Sequence, residues 1–158
     1  MRFESTVLLR LSKEVEGEVA QVKKLKKEFE EVPESLKENI RNRIIGSLFH
    51  DFYSGLERIF KRIAVELNGG VPKTESWHRD LLIEMSWDMP DLRKAVITEG
   101  TMRRLLPFLR FRHVFRNLYG FELEAPKIQE LEKDFPSLCD TVVTEILQFV
   151  EWMREQSG

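Results

Sequence analysis

From Leu36 to Leu67 apolar residues return at Leu36, Ile40, Ile44, Leu48, Phe52, Leu56, Ile59, Ile63 and Leu67, and the run stops at Asn68-Gly69-Gly70. A helix laid against other helices buries such a stripe, because a strand would send neighbouring side chains to opposite faces. Ser35 with Glu38 three residues on reads as a capping box at its start, and the glycines read as its stop. Upstream, Val15, Val19, Val22, Leu25 and Phe29 repeat at helical spacing and end near Val32-Pro33. Downstream, a shorter helix starting at Thr74 or Ser76 runs through WHRDLLIEM and ends before Pro90, and a loop follows to Thr98. A last stripe, Ile128, Leu131, Phe135, Leu138, Val142, Ile146, Phe149 and Met153, carries Pro136, which either kinks the helix or divides it. The spacing predicts an all-α chain, an antiparallel helical bundle of about four to five helices.

The chain has 158 residues, 42% of them hydrophobic, with only eight glycines and six prolines. That suffices for one core, so residues 1–158 are read as a single helical domain. Cys139 is the only cysteine, which excludes an intrachain disulfide and a cysteine-rich zinc site and places it in the core. No signal-peptide core and no run of about 18 apolar residues is present. A cytoplasmic protein with no membrane association is expected. The net charge of −2 would not by itself draw the chain onto nucleic acid.

Charge is segregated along the sequence. In RRLLPFLRFRHVFRNLYGFE (103–122) the arginines Arg103, Arg104, Arg110, Arg112 and Arg116 have no acid among them between Glu99 and Glu122, whereas residues 123–158 are rich in acids. Sorted by helical angle, Phe108, Phe111, Val114, Phe115, Leu118 and Phe121 are assigned to a core face, and Arg110, Arg112, His113, Arg116, Asn117 and Tyr119 to the wet one. Such a stripe favours an anion, phosphate above all, because the guanidinium fork matches its oxygens. Metal-free RNA cleavage needs a base for the 2′-hydroxyl proton, an acid for the leaving oxygen and cations for the charge on phosphorus. His113 and the arginines offer those parts. Alternatively the arginines neutralise the acidic last helix, or the stripe is an interface between two copies.

Three weaker features accompany it. Arg43 and His50 repeat the arginine-to-histidine spacing on the long helix, a match that chance readily supplies. His50, Asp51, Tyr53, Glu57 and Arg58 make the middle of that helix polar, for interhelical hydrogen bonds or for support of the basic helix. Trp77 and His78 either anchor the short helix or stack on a base. No metal motif, glycine-rich phosphate loop or placed nucleophile is found, so neither metal nor cofactor is expected.

The segments HDFYSGLERIF (50–60), GGVPKTESWHRDLLIEM (69–85) and LRFRHVFRNLYGFEL (109–123) resemble, in order and spacing, one branch of the HepT-like proteins of the HEPN superfamily, and the similarity covers most of the chain. The resemblance implies a small HEPN-like helical bundle acting as a homodimer. It further implies the toxin of a toxin–antitoxin pair, a metal-independent endoribonuclease acting on RNA under control of a nucleotidyltransferase antitoxin. The family motif is Arg, a polar residue, three more positions, His, any residue and Tyr. Here it falls on Arg112, His113, Asn117 and Tyr119, with asparagine where histidine is usual. Asparagine cannot exchange a proton near neutral pH. Either His113 has taken the proton-transfer role, making Arg112, His113 and Asn117 the catalytic set with Arg110, Arg116 and Tyr119 binding substrate, or the site binds nucleotide, RNA or a partner without cutting. Tyr119 matches the tyrosine that in HepT-like toxins receives an adenylyl group from the partner.

Overall fold

The structure, a computed structural model, describes residues 3–117 and 125–158, apart from the side chain of Asn117. Five helices carry the described residues: α1 Ser5–Glu31, α2 Glu38–Leu67, α3 Trp77–Glu84, α4 Glu99–Asn117 and α5 Ala125–Ser157. No strand occurs among them, only an isolated bridge between Met89 and Arg93, and the chain is an all-α helical bundle as its periodicity predicts.

Side-chain pairs fix the helix directions. Arg10 meets Glu66 at 3.0 Å, Arg62 meets Glu14 at 3.0 Å and Arg58 meets Glu18 at 3.1 Å, so α1 and α2 are antiparallel. Ser5 donates to the Ser157 carbonyl at 2.8 Å, Arg154 pairs with Glu16, and Lys26 meets Asp140 at 2.8 Å, so α5 also runs against α1. Glu145 accepts from the Thr98 amide at 2.7 Å and Arg104 reaches Asp134 at 2.7 Å, which sets α4 antiparallel to α5. Exposed pairs of this kind contribute little energy. Burial supplies the stability, centred on a knot of phenylalanines from four helices. The Phe135 ring lies 4.9 Å from Phe29, 5.1 Å from Phe49 and 5.0 Å from Phe52, while Phe108 lies 5.2 Å from Phe49. Tilted and edge-on rings at these separations add to the area they bury.

Several expectations at element level need correction. The capping box does not form: α2 begins at Glu38 behind Lys37, with no side-chain cap. Ile40 and Ile44 are 47% and 39% exposed. A strict four-residue spacing turns about 40° around the helix with each step, so these two leave the buried face, which Ile45 and Phe49 occupy instead. At the other end Gly69 and Gly70 have φ of 80° and 141°, values that favour glycine, and the amides of Asn68 and Gly70 both donate to the Ala64 carbonyl. Pro136 does not divide α5, which runs unbroken through it, and Pro107 likewise sits inside α4.

The segment between α3 and α4 is organised by one side chain that the sequence reading did not single out. Arg93, 3% exposed, donates to Asn68 Oδ1 at 2.9 Å and to the carbonyls of Glu84 at 2.9 Å and of Trp87 and Lys94 at 3.0 Å. Thr98 then caps α4, its Oγ1 accepting from the Thr101 amide at 3.1 Å. Cys139 is a core residue, and burial pushes its thiol up to about 12.

Replacing Phe135 by alanine removes the ring that three helices share, and we expect a loss of about 3–5 kcal/mol, read as a lowered urea midpoint with an unchanged slope.

Candidate functional site

The largest departure from the sequence reading concerns Arg112, which is 3% exposed. Taken in one sense around the helix from Phe108 at roughly 100° per residue, Arg112 falls at about 40°, Leu105 at about 60° and Leu109 at about 100°, whereas Val114 falls at about 240°, opposite the middle of that arc. The buried arc is therefore set by the first half of α4, by Met102, Leu105, Phe108 and Leu109, and Arg112 is at its centre. Val114, assigned to the core face, is 44% exposed, and Phe111 and Phe115 sit at the rim. Arg110, His113 and Arg116 do project outward as expected. Leu118, Tyr119 and Phe121 lie outside the described residues, as does the Asn117 side chain.

Arg112 is locked in a fork. Its Nη1 donates to Glu57 Oε1 at 3.0 Å and its Nη2 to Glu57 Oε2 at 2.9 Å, with both side chains more than nine-tenths buried, and its guanidinium lies 5.0 Å from the Tyr53 ring centroid. From α3, His78 Nδ1 comes within 2.7 Å of Glu57 Oε2 and 3.1 Å of Arg112 Nη2. The Trp77 indole stacks on the His78 ring at 3.5 Å between centroids and also carries the Lys61 ammonium at 4.7 Å. Three helices thus converge on one carboxylate. Burial would raise the Glu57 pKa, but hydrogen bonds from Arg112 and then His78 outweigh it and hold the carboxyl below its ordinary range. Tyr53, whose hydroxyl has no hydrogen-bond partner among the described residues, is pushed above its usual range by burial and then by the Glu57 charge.

Along the same seam, Arg116 donates through Nε to His50 Nε2 at 3.0 Å, while His50 Nδ1 lies 3.1 Å from Asp51. His50, Tyr53, Glu57 and Lys61 recur along α2 at helical spacing, and Arg112 and Arg116 recur one turn apart on α4. The polar middle of α2 therefore holds α4 rather than forming a separate motif, and Arg43 makes no contact with His50 among the described interactions. Trp77 anchors α3, being partly buried against the core and engaged by both His78 and Lys61.

The five arginines do not form one stripe. Arg103 pairs with Glu99 in its own helix at 2.7 Å, Arg104 goes to Asp134 of α5 and Arg112 to Glu57 of α2. Of the five, only Arg104 meets the acidic last helix among the described residues; Glu132 and Asp140 of that helix face Arg41 of α2 and Lys26 of α1, and Glu151 pairs with Arg154 of its own helix. Arg110 and Arg116 have no carboxylate partner among the described residues, and Arg116 bonds to His50 instead. A concavity of about 530 Å³ between residues 88–94 and the end of α5 contains none of the expected site residues. Among the described residues no cluster is placed to hold a metal ion, and no helix is long and apolar enough to cross a membrane.

A family model described as HepT-like protein matches residues 44–153, from α2 through nearly all of α5. The chain belongs to the HepT-like family of the HEPN superfamily. No curated protein and no solved structure matches it.

Arg112→Ala leaves a buried carboxylate without its fork, and we expect a loss of about 3–5 kcal/mol, much of it recovered when Glu57 is replaced by leucine in the same chain. Because the folded Glu57 pKa is depressed, its contribution is complete above the unfolded carboxyl range near 4.5 and disappears as pH falls through the folded value. Stability of Glu57→Gln should therefore fall less steeply than wild type below about pH 4.5 in a pH series of urea melts.

Proposed function

We propose that this chain is the toxin of a toxin–antitoxin pair, a metal-independent endoribonuclease whose partner antitoxin is a nucleotidyltransferase. The observation that carries the reading is the position of Arg112, the arginine of the family motif, within a family match of residues 44–153, held against a carboxylate and an imidazole where α2, α3 and α4 meet. Cleavage of RNA by its own 2′-hydroxyl needs no outside nucleophile: one group takes the hydroxyl proton while cations balance charge on the phosphate. Arg116 is an exposed cation on this seam and Arg110 an exposed cation on another side of α4, and His78 beside Arg112 and His113 on α4 are the two candidates for the proton carrier. The family pattern of a homodimer would bring two such seams together, and Tyr119 is the residue proposed to receive an adenylyl group from the partner. The protein would work in the cytoplasm, where its RNA and its antitoxin are.

A second reading has its own support. Asn117 stands where the motif has histidine, and the Arg112 fork is already occupied by Glu57. Both features suit a module that binds RNA, nucleotide or the antitoxin without cutting.

Expression without the antitoxin should arrest growth, and the purified protein should cut RNA in EDTA to leave 2′,3′-cyclic phosphate ends. Binding of RNA without cleavage would favour the second reading. In either case Arg110→Ala and Arg116→Ala should weaken binding across sequences and each reduce the salt slope by about 0.7 on single-stranded RNA. After co-expression with the antitoxin, mass spectrometry should find added AMP on Tyr119.

A further inference from the structure

We infer that the proton carrier of this site is His78 on α3, aimed by Glu57, so that a histidine from outside the motif does the work that Asn117 cannot. The inference rests on the ribonuclease reading above and deepens it by naming the group that touches the 2′-hydroxyl.

The tautomer follows from the partners. A carboxylate can only accept a hydrogen bond and a guanidinium can only donate one. Glu57 Oε2 is the closer neighbour of His78 Nδ1, at 2.7 Å against 3.1 Å for Arg112 Nη2, and that same Nη2 already donates to Oε2 at 2.9 Å. The ring proton therefore sits on Nδ1 and points at Glu57. Nε2, on the other edge of the ring, carries the lone pair and makes no hydrogen bond among the described residues. A carboxylate behind Nδ1 both fixes the ring and stabilises the imidazolium once Nε2 has taken a proton.

Accessibility separates His78 from the rest of the cluster. Its side chain is 37% exposed, against 7% for Glu57 and 4% for Arg112, so the imidazole is the part that a substrate can reach. Stacking on Trp77 fixes its plane, and the Lys61 ammonium on that indole adds a cation beside it. Arg112 takes a positioning role, holding Glu57 in the orientation that His78 needs. His113 follows Arg112 by one residue, about 100° around the helix, and its side chain is exposed.

In the step, Nε2 takes the proton of the 2′-hydroxyl as the 2′ oxygen bonds to phosphorus. The bond from phosphorus to the 5′ oxygen breaks, that oxygen leaves with a proton from solvent, and the imidazolium returns its own to solvent. The products are a 2′,3′-cyclic phosphate and a 5′-hydroxyl, with no oxidant, reductant or metal consumed.

The test uses the full chain on single-stranded RNA in EDTA. His78→Ala should lower kcat/KM by about 10²- to 10⁴-fold, a larger loss than His113→Ala produces. Added imidazole should restore part of the activity of His78→Ala, which a merely structural loss would not allow, and His78→Gln, compared by its melting curve, guards against misfolding. Imidazole nitrogen NMR should show the Nδ1–H form in wild type and a weaker preference for it in Glu57→Gln, whose uncharged amide oxygen is a poorer acceptor, with activity falling in parallel. An active wild type whose His78→Ala variant cuts equally well, or whose His113→Ala variant is the inactive one, overturns the role of His78 and leaves the ribonuclease reading intact. A wild type that cuts no RNA overturns both, even with the Nδ1–H form in place.

Discussion

The buried fork between Arg112 and Glu57 is the interaction on which the functional end of this bundle depends. Two opposite charges removed from water are tolerable only when geometry is good and the remaining lone pairs are satisfied. Here both guanidinium amino groups meet both carboxylate oxygens, and His78 takes a further position on Oε2. Specific geometry is what such a pair supplies, more than net stability. It fixes how α4 lies on α2 and where α3 must present its imidazole, so that a structural lock and a candidate site are the same set of atoms.

The backbone architecture was largely legible in the sequence because long helices repeat their burial pattern many times. The α5 stripe from Ile128 to Met153 is buried at every predicted position, and the ends of α1 and α2 fall beside Pro33 and the glycines at 69 and 70. Where the signal was short, the outcome turned on angle. On α4 the phenylalanines at 111 and 115 pulled the assumed core face toward Val114, although Leu105, Phe108 and Leu109 place it on the side of Arg112. An arginine in step with an apolar stripe is a sequence-level sign of a buried partner, and α2 carries the matching sign: Glu57 falls in step with Tyr53, Phe60 and Ala64, all buried. Read together, those two interruptions point to each other. The approach of His78 was not legible, since nothing local to α3 shows which helix it meets.

Cationic side chains here divide into those that hold the protein and those that face outward. Arg112 and Arg93 are internal, Arg104 bridges α4 to α5, and Arg110 and Arg116 remain toward solvent. The HepT-like family assignment covers the helices that build this seam, and α1 contributes to it only from behind, through the core it shares with α2 and α5.

Arg93 gives the segment between α3 and α4 an internal template. Its guanidinium gathers three carbonyls and the Asn68 side chain, so a stretch without regular structure is held almost as a bound ion would hold it. Lysine, a point charge with no planar fork, could not reproduce this geometry. The start of α4, and with it the angular phase of everything that helix displays, is thus inherited from a residue remote in sequence from the motif, and drift in the display would be expected wherever that template is lost.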